Sequence, residues 1–381
     1  MKSFYFDNAA TTRVRDEIVK KMIPYYCIEY GNPSSIYTLG RSSKRAIEKA
    51  REQIANLIRA QSKEIYFTSG GSESDNTALN GIANLKKKNG KHIITSRIEH
   101  PAILETCKKL EEDGYKISYL NVDENGLINL GDLANIINDE TILISIMFAN
   151  NEIGTIQQIE KIAQIAHSKD IIFHTDAVQA VGNIKIDVKK MGIDMLSLSS
   201  HKIYGPKGVG ALYVKNGIDF ERFINGGHQE KNKRAGTENV AGIVGFGEAG
   251  EIISRDLDKH IVHLRELRDY YLEEVSSKIK NIKINGSIEN RLPGNANISF
   301  EGINGGDLLL ELDNRGICAS SASACSSSSS LPSHVLTAIG VEKRFINGAL
   351  RTTFGAYNTK NEVDYLVNAL IETVTKLRNL G

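Results

Sequence analysis

One feature limits the fold of this 381-residue chain more than any other: between about residues 41 and 260, short β-rich segments alternate with amphipathic helical stretches. Such alternation builds a parallel sheet covered by helices on both faces. Apolar residues recur at helical spacing in Ser42–Arg59, Ile103–Glu112 and Ile159–Ser168. The predicted strands are Ile65–Thr68, His92–Ser96, Lys116–Asn121, Thr141–Phe148, Ile171–Asp176, Met195–Ser199 and Gly210–Val214.

The pattern of elements changes after Gly250. The sequence there predicts a long charged helix, Glu251–Lys278, and then shorter strands and helices at Lys283–Asn285, Asn297–Phe300, Asp307–Arg315 and Asn361–Leu377. The length of the chain is typical of about two domains. We therefore expect a large α/β domain and a smaller α+β domain.

A serine-rich tract lies inside the second domain. Most residues of Ala319–Ser330 are serine, and Cys325 stands within them. Such a composition buries too little apolar surface to order itself, which predicts a mobile loop. A plain linker is the alternative reading, which the cysteine and the structured segment Pro332–Ile339 weaken.

Charge and hydropathy exclude several classes of partner. Lys plus Arg number 47 and Asp plus Glu number 46, for a formal net charge of +1. Nucleic acid and anionic membranes are therefore not expected partners, and any anion site must be local. No apolar run approaches the roughly 20 residues that cross a bilayer. Asp7 and Asn8 come too early for the apolar region of a signal peptide.

The cysteines point to a reducing compartment. Cys27, Cys107, Cys318 and Cys325 form no CxxC pair and no spacing typical of a metal site. We expect no bound metal and no disulfide framework, and a cytoplasmic location fits best.

The first candidate site follows the strand Ile65–Thr68. Ser69-Gly70-Gly71-Ser72 precedes the predicted helix Glu73–Lys88. Glycines let the backbone approach an oxyanion, and a helix N-terminus supplies unpaired N–H groups. This segment could therefore cradle a phosphate. An ordinary turn with a helix cap explains the same residues.

Two further candidates lie where strands end, the edge at which parallel sheets bind ligands. Asp176 closes Ile171–Asp176, where it could face a cofactor or simply cap the next helix. Lys202 follows Met195–Ser199, among hydroxyl groups and before a glycine-rich turn, where burial could lower its pKa and free the amine as a nucleophile. A solvated loop lysine is the alternative.

Together these features match the needs of pyridoxal phosphate (PLP). A phosphate cradle, a strand-end acid and a strand-end lysine follow one another in the order Ser72, Asp176, Lys202. The lysine would form the Schiff base, and the acid would pair with the protonated pyridine nitrogen. His100 could stack on the ring and pass protons, and Asn151 could bond the phenolic oxygen.

At this point the sequence resembles a known family nearly from end to end. It is similar to the class V aminotransferase-like PLP enzymes and, within them, to the cysteine desulfurases of the NifS/IscS type. Six ordered segments carry the resemblance: Phe6-Asp7-Asn8-Ala9-Ala10-Thr11-Thr12, Gly31-Asn32-Pro33-Ser34-Ser35, Thr68-Ser69-Gly70-Gly71-Ser72-Glu73-Ser74, Asn150-Asn151-Glu152-Ile153-Gly154, Ser200-His201-Lys202-Ile203-Tyr204-Gly205-Pro206-Lys207-Gly208 and Arg234-Ala235-Gly236-Thr237-Glu238-Asn239.

The resemblance implies a role for each matching residue. Lys202 would be the Schiff-base lysine and His100 the stacking, proton-transferring histidine. The cofactor would be bound by Ser72, Asn151, Asp176, Gln179, Ser199, His201, Lys202 and, from the other subunit of a homodimer, Thr237. Arg351 would bind the substrate carboxylate, for which its planar fork is well shaped, and Asn32 would also contact the substrate.

Cys325 would separate a desulfurase from a transaminase. Ser320-Ser321-Ala322-Ser323-Ala324-Cys325 resembles the SSGSAC motif of long-loop desulfurases, whose thiolate takes sulfur from cysteine as a persulfide. Two residues depart from the pattern: Ala322 replaces a glycine, and Tyr37 stands where relatives often have histidine. A lone cysteine is otherwise usually a small core residue. Cys318 could be core or a second thiol.

The implied fold is the PLP fold type I. It has a mostly parallel seven-stranded sheet in a large domain, residues 17–258, and a small domain from residues 1–16 and 259–381 with the mobile Cys325 loop. The implied activity converts L-cysteine to L-alanine and passes persulfide sulfur to acceptor proteins such as an Fe–S scaffold. A class V transaminase or lyase without a persulfide step is the rival enzyme, and a non-catalytic scaffold is the rival of another class.

Overall fold

A computed structural model of the chain describes residues 3–321 and 332–380. The strands are β1 Phe4–Tyr5, β2 Ile65–Thr68, β3 His92–Ser96, β4 Lys116–Leu120, β5 Thr141–Ser145, β6 Ile172–Asp176, β7 Met195–Ser199, β8 Gly210–Val214, β9 Ile282–Ile284, β10 Asn295–Phe300, β11 Ile317–Cys318, β12 Ser320–Ser321 and β13 Ala349–Thr353. The helices are α1 Asp16–Met22, α2 Pro24–Cys27, α3 Thr38–Leu57, α4 Gly71–Lys86, α5 Pro101–Glu112, α6 Leu130–Ile136, α7 Ile159–His167, α8 Gln229–Asn232, α9 Val240–Lys278, α10 Gly305–Asp313, α11 His334–Ala338, α12 Lys343–Ile346 and α13 Lys360–Leu380.

The central sheet confirms the predicted fold class. Its seven strands lie in the order β2-β8-β7-β6-β5-β3-β4. Strand β8 runs antiparallel to β2 and β7, and the other neighbours are parallel. Strands β3, β5, β7 and β8 are buried along their whole length, because helices cover both faces of the sheet.

The predicted strand Thr141–Phe148 extends too far. Strand β5 ends at Ser145, but the chain stays hydrogen-bonded to the end of β6, since Ile146 N donates to His174 O and Phe148 N to Asp176 O. The apolar residues that prolonged the prediction are buried beyond the end of the regular ladder.

Helix α9 also differs from its prediction, because it begins at Val240 rather than Glu251. Glycine disfavours helix, so the glycine-rich first turns were not expected to be helical. Packing against α3 supplies the reason for the glycines: a Cβ at Gly247 would lie 2.5 Å from the Cα of Ala50. The side chain of Asn239 caps the helix by accepting a hydrogen bond from Gly242 N.

Two large apolar clusters meet along α9. The larger surrounds the central sheet and includes Ile252 and Ile253, whereas the second begins at Leu264 and includes Phe6. We propose that this change of cluster marks the predicted domain boundary near residue 258.

A second sheet brings the two ends of the chain together. Its four strands lie in the order β12-β13-β10-β9, and β1 pairs with β11 beside it. Phe6 O accepts a hydrogen bond from Thr353 N, so the N-terminal segment lies along β13. This pairing places Asp7 and Arg351 next to each other.

Within the part of the chain that the structure describes, every helix is too short or too polar to span a bilayer.

Candidate active site

A cavity of about 320 Å³ lies where the parallel strands end. Nine residues that the sequence predicts for the site line it: Ser72, His100, Asn151, Asp176, Gln179, Ser199, His201, Lys202 and Arg351. Asp176 ends β6 and Ser199 ends β7. Because these neighbouring strands are parallel, both side chains lie at the same edge of the sheet, beside the cavity.

The glycine-rich turn before α4 forms one wall. Gly70 has φ of +157°, a conformation that L side chains rarely adopt, and a Cβ there would meet nothing within 4 Å. Gly71 and Ser72 begin the 16-residue helix and line the cavity. The open space above a helix N-terminus suits an oxyanion. Glu73 stabilises this turn, because its carboxylate accepts a hydrogen bond from Ser69 N at 2.8 Å.

Lys202 closes a short 3₁₀ turn, Ser200–Lys202, directly after β7. Its Nζ donates to the carbonyls of Ala9 and, at 2.8 Å, Ala10. The N-terminal segment is fastened to this turn, since Thr12 N donates to His201 O at 2.9 Å. Two distant motifs of the sequence therefore meet at the lysine amine.

A cluster of two acids and a histidine lies beneath the cavity. One ligand atom each of Asp75, His100 and Asp176 fall within 4.8 Å of one another, an arrangement that could also hold a metal ion. Burial raises the pKa of both carboxyl groups, Asp75 well above its usual value, while His100 and Lys202 lower that of Asp176. The neutral form is therefore favoured more strongly at Asp75 than at Asp176.

Asp176 also stabilises the turn after β6. Its Oδ1 accepts a hydrogen bond from Val178 N at 2.9 Å. The described chain forms turns and not a helix between β6 and β7, so the alternative of a helix cap is wrong. The carboxyl group lines the cavity, and its role toward a cofactor stays a prediction.

The ring of His100 is oriented by the start of α5. Its Nδ1 accepts a hydrogen bond from Ala102 N at 3.1 Å, which assigns the proton of the neutral ring to Nε2. Burial lowers the pKa of His100, and the Lys202 charge lowers it further against the opposing effect of Asp176. A neutral imidazole with one exchangeable proton thus lies beside the cavity.

Arg351 lies on β13 with only 4% of its side chain exposed. Its Nη2 donates to Asp7 Oδ1 at 2.7 Å and its Nη1 to Asn151 O at 3.2 Å. Its Nε is buried and has no hydrogen-bond partner in the described residues. An unpaired guanidinium N–H beside a cavity suits a carboxylate ligand.

Three predicted residues are not among those that line the cavity. Asn32 and Thr237 are exposed in the single chain, and Asn32 accepts a hydrogen bond from Ser34 N through its side chain. Cys325 and the neighbouring Ala322 lie outside the described residues. The roles of all three site residues stay predictions.

Sequence reasoning missed Asp75 and Asp7. Asp75 lies one helical turn after Gly71, so the spacing could have placed it on the face of α4 that meets the cavity. For Asp7, no local pattern of the sequence indicates its contact with Arg351, 344 residues away.

The donor set fits PLP. An open glycine turn at a helix N-terminus suits the phosphate, an amine at Lys202 suits the aldehyde, and a carboxyl group at Asp176 suits a protonated ring nitrogen. These groups line one cavity, as the resemblance implies.

Comparisons with known proteins agree with this geometry. Residues 4–366 match the family described as aminotransferase class-V. A cysteine desulfurase IscS from Dictyoglomus turgidum is 51% identical over 380 residues, covering 100% of this chain and 96% of the relative. A cysteine desulfurase IscS from Methanosarcina thermophila is 52% identical over 380 residues, covering 100% of this chain and 94% of the relative.

Solved structures give the same result. A NifS-like protein superposes with a TM-score of 0.93 at 38% identity, covering 98% of this chain and 100% of that chain. A structure described as SspA in complex with cysteine has a TM-score of 0.82 at 38% identity, covering 94% of this chain and 100% of that chain. This chain therefore belongs to the class-V aminotransferase family and, within it, to the cysteine desulfurases of the NifS/IscS type.

Proposed function

We propose that the protein is a PLP-dependent L-cysteine desulfurase that releases L-alanine and carries the sulfur as a persulfide on Cys325. One observation carries the proposal: Lys202, Asp176 and Arg351 line a single cavity. The lysine and the acid suit the aldehyde and the ring nitrogen of PLP, and the buried arginine suits the carboxylate of an amino acid.

The residues would share the binding of PLP as follows. Ser72, Ser199 and His201, together with the N-terminus of α4, would hold the phosphate. Asp176 would pair with the ring nitrogen, and Asn151 and Gln179 would bond the phenolic oxygen. Bound in this way, PLP supplies an electron sink that weakens bonds at the α-carbon of an amino acid and promotes loss of its sulfur.

His100 would move protons at the reacting centre. Because Nδ1 accepts a hydrogen bond from Ala102 N, Nε2 carries the proton of the neutral ring. The lowered pKa keeps the ring neutral near pH 7, so Nε2–H would donate a hydrogen bond to the substrate, and the ring would take up a substrate proton only at Nδ1, after the hydrogen bond from Ala102 N breaks. Lys202 also lines the cavity, and its Nζ would act as a base when the amine is neutral.

The substrate carboxylate would bind Arg351, whose Nε is unpartnered in the described residues. The Cys325 thiolate would then attack the substrate sulfur. The new S–S bond forms as the bond between sulfur and the substrate β-carbon breaks. The electron pair of the broken bond stays with the carbon fragment, and protonation at the β-carbon yields alanine.

The described edge of the loop supports this role for Cys325. Ser320 of β12 pairs with Arg351, and Ser321 is the last described residue before the tract. Cys325 is four residues further on, and four residues span at most about 14 Å. The length of the chain therefore allows the thiol to reach the residue that would bind the substrate.

We further propose a homodimer in which Thr237 and Asn32 complete the partner's site. Exposed large apolar side chains concentrate in residues 19–37: Val19, Ile23, Tyr26, Ile28, Tyr30, Ile36 and Tyr37. An apolar patch of this kind marks an interaction surface. Both Asn32, inside this stretch, and Thr237 are exposed, as residues that act across a dimer interface would be in a single chain.

Acceptor proteins such as an Fe–S scaffold would receive the sulfur, and the enzyme would work in the cytoplasm. A persulfide carrier needs a reduced thiol, and Cys27, Cys107 and Cys318 are unpaired in the described part of the chain.

The deciding experiment incubates the purified, PLP-loaded protein with L-cysteine and a thiol reductant in the absence of any keto acid. We expect alanine and sulfide in equal amounts. A class V transaminase would instead need a keto acid and would release no sulfide. A non-catalytic scaffold would release neither product and would show no PLP absorbance.

A further inference from the structure

Arg351 is an unusual group to find in the middle of a small sheet. Strand β13 lies between β10 and β12, and Arg351 pairs with Asn297 on one side and Ser320 on the other. An arginine buried in this way leaves an uncompensated charge unless a partner neutralises it.

Asp7 is that partner, and the backbone holds it firmly. Asp7 forms a bridge with Thr353, two residues along β13 from Arg351. The hydroxyl of Tyr5 donates to Asp7 O at 3.0 Å. The carboxylate is 18% exposed and meets Arg351 Nη2 at 2.7 Å. Its position is therefore set by the sheet and not by a flexible loop.

The remaining hydrogen bonds of Arg351 show which edge stays open. Guanidinium has five N–H donors, of which Asp7 and the carbonyl of Asn151 each take one. The buried Nε has no partner in the described residues. Asp7 and Asn151 together fix the plane of the fork, and Arg351 lines the cavity with its Nε still without an acceptor in the described residues.

We propose that Asp7 is a positioning residue for substrate recognition, whose carboxylate orients Arg351 so that its unpaired donors bind the α-carboxylate of the amino acid. The inference rests on the proposed role of Arg351 in the desulfurase. Asp7 is not among the residues that line the cavity, so it would act through the arginine. A competing role is the opposite one, in which Asp7 occupies Arg351 and must be displaced by the substrate.

The test compares L-cysteine with cysteamine, which lacks the carboxylate, in the PLP-loaded enzyme. For Asp7→Asn we expect the KM for L-cysteine to rise about tenfold to a hundredfold, the range for loss of one charge-assisted hydrogen bond. The kcat should change less than about twofold. Binding of cysteamine, followed by the change in cofactor absorbance, should be unaffected.

Two further variants complete the design. Asp16→Asn removes the same charge from an exposed ion pair with Arg13. It should leave the KM for L-cysteine and the binding of cysteamine unchanged. Asp7→Glu keeps the carboxylate on a side chain that is one methylene longer. It should give a KM for L-cysteine between those of the wild type and Asp7→Asn. If Asp7→Asn does not fold, Asp7→Glu decides: a raised KM with unchanged cysteamine binding supports the proposal, and an unchanged KM overturns it.

Other results would also overturn the proposal. An unchanged or lower KM for L-cysteine in Asp7→Asn would favour the role in which the substrate must displace Asp7 from Arg351. Binding of cysteamine that weakens as much as binding of L-cysteine would indicate a general structural effect. Failure of the proposed function looks different: the wild-type enzyme would form no alanine, or Arg351→Ala would bind L-cysteine as well as the wild type does.

Discussion

Replacement of Glu230 by alanine should lower the free energy of unfolding by about 3–5 kcal/mol, the range for removing one partner of a buried ion pair. The side chains of Arg51 and Glu230 are only 4% and 3% exposed. Glu230 accepts hydrogen bonds from Arg51 Nη1 at 2.6 Å, from Arg51 Nη2 at 2.8 Å and from Phe67 N at 2.8 Å. The alanine variant leaves the buried guanidinium with only Glu48, a half-exposed carboxylate 3.3 Å from Arg51 Nε, as its counter-charge.

The same ion pair holds a strained backbone. Glu230, Lys231 and Asn232 have φ of 44°, 58° and 67°, three consecutive residues in the left-handed region. Each costs about 1–2 kcal/mol for a residue with a side chain. Their geometry leads the chain toward Thr237, so loosening it should also weaken PLP binding in a dimer that shares its sites.

Urea denaturation at one fixed protein concentration measures the effect, since the stability of a dimer depends on concentration. Asp16→Ala, at an exposed pair with Arg13, is the matched control and should change stability by less than about 1 kcal/mol. A Glu230→Ala variant within about 1 kcal/mol of the wild type would refute the reasoning.

Three other predictions concern the site. Lys202→Ala should lose covalent attachment of PLP and all turnover; borohydride reduction that trapped PLP on a different lysine would contradict the assignment. Asp176→Asn should lower turnover by orders of magnitude while PLP still binds, and steady-state assays showing near-normal rates would count against its pairing with the ring nitrogen. Burial raises the pKa of Glu152 from 4.5 to about 7, although the hydrogen bond from Ser333 and the charge of Arg351 lower it. The folded state therefore retains a proton that the unfolded state releases, and stability falls as pH rises from about 4.5 to 7. Glu152→Gln should gain up to about 2 kcal/mol relative to the wild type between pH 5 and pH 8, as urea denaturation at both pH values would reveal; a pH-independent difference would exclude this ionisation.

The sequence predicted the central sheet well because its signals are local. Four strands, β2, β3, β7 and β8, begin and end as predicted, since continuous apolar runs stop at turn residues. Asp176 and Lys202 followed from the convergence of parallel strand ends. Gln179, Ser199, His201 and Arg351 were predicted only from the resemblance to the family.

What the sequence did not predict depends on distant contacts. The glycine-rich start of α9 is helical only because α3 packs closely against it. Asp75 looks like any acid on the first turns of a helix until the fold buries it beside Asp176. Asp7 meets Arg351 because an isolated bridge joins Asp7 to Thr353 of β13, and a bridge of single residues leaves no periodic signal in the sequence.

The central claim is that sulfur from L-cysteine passes to one protein thiol. Mass spectrometry of the wild-type protein after treatment with L-cysteine tests it most directly. We expect one extra sulfur atom on the peptide that contains Cys325, removable by a thiol reductant, and no such addition in a Cys325→Ser variant that still binds PLP. Extra sulfur on the peptide that contains Cys318, or sulfide release at the wild-type rate by Cys325→Ser, would contradict the account.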